Sequence, residues 1–132
     1  MRVSVDTNIL VRAVVRDDRK QARAAAKLLK TAELVAVPLP CLCELAWVLK
    51  RLYGFARSDI AAAIQALLNA ANVQTNRPAA EAGLTILNAG GDFADGVIAY
   101  EGSWLGGNEF VSFDKDAVSL LSKQGQSVRL LR

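Results

Sequence analysis

The sequence predicts an α/β fold, a parallel sheet of about four to five short strands sandwiched between helices. Three observations carry this reading. Five short runs have strand character: RVSV at 2–5, LVAV at 34–37, NVQT at 72–75, EFVSF at 109–113 and SVRLL at 127–131. Stretches of helical periodicity lie between them, and strand followed by helices, repeated, is the order that a parallel sheet covered on both faces demands. The 132 residues fit one domain, 1–132, with no internal repeat, linker or low-complexity segment to divide it.

The elements follow in order. After RVSV, Asp6 and Thr7 open an apolar-periodic stretch, Ile9 to Val15, that reads as a helix, so Asp6 stands at a strand end. Asp17 or Asp18 caps a second, alanine-rich helix to about Lys30, with Ala24, Ala25, Leu28 and Leu29 facing inward. The LVAV strand stops at Pro38 and Pro40, and the helix after it carries Glu44 and ends at Tyr53 and Gly54. Ser58 or Asp59 caps the next helix, through Ala70. Pro78 in a first turn opens another to about Leu87, closed by Gly90 and Gly91. DFADGVIAYEGSWL reads as a helix interrupted at glycine, and Asp114 with Lys115 begins a last helix to about Lys123.

Composition narrows the function classes. No uncharged run is apolar enough to span a membrane, and Asp6 falls where a signal peptide needs its apolar region, so a cytoplasmic protein is expected. Cys41 and Cys43 lie in an apolar run of a chain without histidine, which reads as buried thiols rather than a zinc set. A 52% hydrophobic content and a mean hydropathy of +0.22 are high for so small a domain and suggest apolar surface covered by a second subunit or a partner.

The net charge of +3 conceals a segregation. From Arg12 to Lys30 there are seven bases (Arg12, Arg16, Arg19, Lys20, Arg23, Lys27, Lys30) against Asp17 and Asp18, whereas Pro78 to Asp114 holds six acids and no base. A basic face suits a polyanion and an acid-rich segment suits a metal, although bases on a solvated helix also serve solubility alone.

The acids are the chemical centre of the sequence. Sites in open parallel sheets form beyond the carboxyl ends of the strands, where Asp6 and Asp114 sit on this reading. Glu44 lies in the first turns of the helix after LVAV, and its apolar setting, CLCELAWVL, predicts a buried carboxylate, which is costly unless a cation meets it. Asp92 and Asp95 stand three apart, one turn of a helix face. Each aspartate also reads as a helix cap or a first-turn acid. Together they repel: two carboxylates about 5 Å apart cost roughly 3 kcal/mol at an effective dielectric near 20. An all-oxygen set of this kind selects a hard divalent ion, magnesium or manganese.

At these residues the sequence resembles the PIN-domain ribonucleases, and among them the VapC-type toxins of bacterial toxin–antitoxin pairs. VDTNIL resembles the family's first strand and first acid, PLPCLCELAWVL the helix with its second, GDFADGVIA the segment with its third, and VSFDKDA its strand-end hydroxyl and fourth acid. The match runs from Val3 to Asp116. The family more often has alanine where Gly96 stands, and Asp92 and Asp116 are additional acids.

The resemblance implies a PIN-like sheet and a magnesium- or manganese-dependent endoribonuclease acting on RNA phosphodiester bonds. Asp6, Glu44, Asp95 and Asp114 would hold the metal and carry catalysis, with Thr7, Asn8, Asp92 and Ser112 supporting the ion and its water. It further implies a homodimer silenced by a cognate antitoxin, with the bases from Arg12 to Lys30 touching RNA or antitoxin. The rival is a PIN-like module that binds RNA or protein without cutting. A haloacid-dehalogenase phosphatase would need an acid where Asn8 stands, and a receiver domain an acid pair at its first strand end.

Overall fold

The structure is a computed structural model covering residues 1–132, and it divides into two compact units, Met1–Arg77 and Pro78–Arg132.

In the first unit, β1 (Arg2–Ser4) leads into α1 (Thr7–Val15), α2 (Arg19–Thr31), β2 (Leu34–Ala36), α3 (Leu39–Arg51), α4 (Arg57–Asn69) and β3 (Val73–Gln74). The strands form one parallel sheet in the order β1-β2-β3, with Val3 opposite Val35 and Val35 opposite Val73. Pairing continues past β1, where the N–H of Val5 donates to the carbonyl of Ala36 (3.2 Å). Val35, Val37, Leu10, Leu42, Leu45, Leu49, Ile60, Ile64 and Leu68 fill the core around the sheet. Asn72 fastens the end of α2, its side-chain amide donating to the carbonyls of Leu29 (2.8 Å) and Ala32 (2.9 Å).

In the second unit, α5 (Arg77–Asn88), whose first residue belongs to the preceding unit, is followed by α6 (Phe93–Trp104), β4 (Phe110–Ser112), α7 (Lys115–Lys123) and β5 (Val128–Leu130). β4 and β5 pair in parallel, Phe110 with Val128. Ile86, Ala99 and Leu121 form a buried cluster, with Phe110, Leu120 and Val128 packed against it. The ring of Phe93 lies over Gly83, where an added Cβ would meet it at 2.7 Å. Glycine there makes room for the aromatic core residue.

The α/β class stands, with all pairing parallel: the five short strands form two ladders, three strands and two. Three expectations need correction. α6 is uninterrupted: it passes through Gly96 and Gly102, the former lying against α5, where a Cβ would stand 2.3 Å from the Ala82 carbonyl oxygen. Neither Ser58 nor Asp59 caps α4, because the helix begins at Arg57, after Ala56 in extended geometry, and both side chains fall within its first turn. On α2 it is Ala22, not Ala24, that is buried with Ala25; Leu28 and Leu29 are half-buried. Asp18 caps that helix, its Oδ1 accepting the N–H of Gln21 (3.0 Å). Cys41 and Cys43 are half-buried thiols.

Candidate active site

β1 and β2 are adjacent and parallel, so their carboxyl ends lie side by side and the helices that leave them, α1 and α3, start from one sheet edge. Asp6 stands at the first of these starts. Its backbone is extended and its Oδ1 accepts the N–H groups of Asn8 (3.1 Å) and Ile9 (3.4 Å), satisfying two donors that no helical carbonyl can reach. Thr7 and Asn8 form the first turn beside it. α3 is tied to the same place by Cys41, whose thiol donates to the carbonyl of Val5 (3.5 Å), and Glu44 lies one turn further along that helix.

Glu44 is exposed, which corrects the expectation of burial. The run CLCELAWVL is apolar nearly all round, but only Leu42, Leu45, Ala46 and Leu49 form the buried stripe. At about 100° per residue Glu44 lies on the opposite side of the helix. Trp47, one turn beyond it, is 58% exposed, an aromatic neighbour of the acid that the motif reading passed over although the i+3 spacing marks it.

The second unit assembles the remaining acids. Ser112 closes β4, and its Oγ accepts the N–H of Asp114 (2.9 Å). Asp114 caps α7 as Asp6 caps α1, with Oδ1 accepting from the N–H groups of Asp116 (2.9 Å) and Ala117 (3.2 Å). Asp92 occupies the N-cap position of α6 but makes no capping hydrogen bond with its side chain, and Asp95 follows in the first turn. The Asp95 carboxyl is half-buried and its pKa is raised, first by loss of solvent and then by the charges of Asp92 and Asp114. Asp92, Asp95 and Asp114 thus share one field.

Of the expected ligands, then, Asp6 and Glu44 belong to the first unit and Asp95 and Asp114 to the second. As the side chains stand, no group of three or more carboxylates or thiols is placed to hold a metal ion. The donor chemistry nonetheless suits a hard divalent cation: carboxylate oxygens without histidine, one of them with its pKa raised by loss of solvent and then by neighbouring charge.

Residues 3–120 match the family model of the PIN domain, which is most of the chain and includes all four acids. The chain belongs to the PIN-domain family. PIN domains are generally a nuclease fold that uses divalent metals, and the mixed α/β structure with short parallel strands agrees with that membership. No curated protein matches the chain. No helix of this PIN domain is long and apolar enough to cross a membrane.

Proposed function

We propose that the chain, as one PIN domain, is a magnesium- or manganese-dependent endoribonuclease of the VapC toxin type. It would act on RNA in the cytoplasm as a homodimer restrained by a cognate antitoxin. The observation that carries the nuclease reading is the PIN-domain match over residues 3–120, which includes all four acids. Within it Asp95 is half-buried and its pKa is raised, first by loss of solvent and then by the charges of Asp92 and Asp114, a repulsion that a bound cation relieves. The toxin assignment rests on the order of the four motifs, and the homodimer and antitoxin follow from that resemblance, with exposed Trp47, Trp104 and Leu105 as apolar surface for them to cover.

In this reading Asp6, Glu44, Asp95 and Asp114 are the catalytic ligands, and a bound divalent ion supplies Lewis acidity that eases deprotonation of water and offsets charge developing on the phosphate. The protein's own groups do the positioning. Asp6 and Asp114 are held rigidly by their helix N-termini, Ser112 fixes the backbone entering Asp114, and Thr7, Asn8 and Asp92 orient ligands and water.

The test is cleavage of total cellular RNA by the purified protein with magnesium, with manganese and with chelator, beside Glu44→Gln. Discrete fragments that require metal and vanish in Glu44→Gln are expected. RNA left intact with either metal would return the chain to the class of PIN-like modules that bind without cutting.

A further inference from the structure

Two clusters of exposed side chains fall outside the acids: apolar groups around the C-terminal end of α6, and the bases of α2. Only the second specifies the chemistry of what it meets.

Arg19, Lys20, Arg23, Lys27 and Lys30 are all exposed on α2. Projected down the helix they fall within an arc of about 100°, opposite the buried Ala22 and Ala25, and from Arg19 to Lys30 they span about 16 Å. Arg16, exposed just before the helix, extends the row. Two acids, Asp17 and Asp18, precede the helix and are engaged elsewhere, and Glu33 follows it beyond the last base of the row. Asp18 caps α2 through Gln21. Asp17 takes Arg12 at 2.7 Å and the Tyr53 hydroxyl at 3.1 Å. Ion pairs form at Arg12–Asp17 and Arg129–Glu109, and none involves the row, so its five helical cations stand uncompensated.

We propose that this face of α2 is a track for the phosphate backbone of single-stranded RNA, binding without regard to sequence. The inference rests on the nuclease reading for its occupant. A protein partner needs a dehydrated apolar centre, which this face lacks: the large exposed apolar groups of the first unit are Met1, Trp47 and Leu52, none on α2. A polyanion needs only repeated cations, and α2 presents five within about three helical turns. α2 carries no aromatic side chain to stack on a base, so backbone contact without sequence readout is what it can give.

The experiment measures binding of a labelled oligouridine to the full chain over a salt series, in chelator so that nothing is cut, for the wild type and for Arg19→Gln/Arg23→Gln/Lys27→Gln. All three positions are exposed, so an unchanged melting temperature is the control for folding. Each phosphate contact to a single strand contributes about 0.7 to the slope of log affinity against log salt, so the triple variant should lose about 2 from that slope and about tenfold or more in affinity at low salt. Equal slopes and affinities in the two proteins overturn the proposal. So does tighter binding of polyglutamate than of oligouridine, lost in the variant, which would give the face to an acidic protein. Cleavage by the wild type with magnesium is read separately. If it fails, the nuclease reading falls while the oligouridine titration still decides the track.

Discussion

A Cβ on Gly96 would stand 2.3 Å from the carbonyl oxygen of Ala82, so α5 and α6 approach each other through a point where only glycine fits. Gly96→Ala should therefore destabilise the protein by about 2 kcal/mol, overpacking outweighing the gain in helix propensity. Gly102, in the same helix with nothing within 4 Å of its Cβ position, should behave oppositely, Gly102→Ala adding about 0.5–1 kcal/mol. Urea unfolding of the two variants checks both; equal effects would contradict the close approach.

Asp6→Asn and Asp6→Ala should part company. Asparagine can keep the cap on α1, whereas alanine leaves the N–H groups of Asn8 and Ile9 without their partner, costing about 1 kcal/mol. Both should abolish RNA cleavage. Thermal melts with a cleavage assay separate the roles, and a variant that cuts at the wild-type rate would remove Asp6 from the site.

Asp95 sets a pH dependence whose sign is fixed. Its folded pKa is raised, so the folded state binds protons that the unfolded chain releases; this stability is present below the ordinary carboxylate range and is lost as pH rises through the folded value. In chelator, Asp95→Asn should be more stable than wild type at neutral pH, the gap closing towards acid. Melting temperatures across that range are the measurement, and a gap independent of pH would speak against it.

Glu44→Gln should leave the melting temperature in chelator unchanged, since the side chain is exposed. Magnesium or manganese should raise the melting temperature of the wild type and do so less in Glu44→Gln. Identical metal-induced shifts would exclude Glu44 as a ligand.

Much of this was legible in the sequence because it is local. Asp6, Asp18 and Asp114 announce helix starts by residue type and position, and the short β-rich runs mark every strand. What depends on which way a helix faces was not legible. An all-round apolar run gives no phase, so the sequence reads Glu44 as buried although the stripe of Leu42, Leu45 and Leu49 turns it outward. Alanines give as little phase, hence Ala24 for Ala22 on α2. Glycine within the α6 segment reads locally as a break, because the reason for Gly96 lies on α5, distant in sequence. Motif order proposes the site residues, while the field around Asp95 needed the fold.

At Asp6 and at Asp114 both capping bonds fall on the same oxygen, Oδ1. One half of each carboxylate secures a helix, and the other half is left for the metal binding proposed above. Asparagine preserves the first and forfeits much of the second, and aspartate becomes asparagine through a single nucleotide change. If the protein is the nuclease proposed here, its lineages stand one step from folded, inert descendants, which can persist as binders long after cutting has ceased.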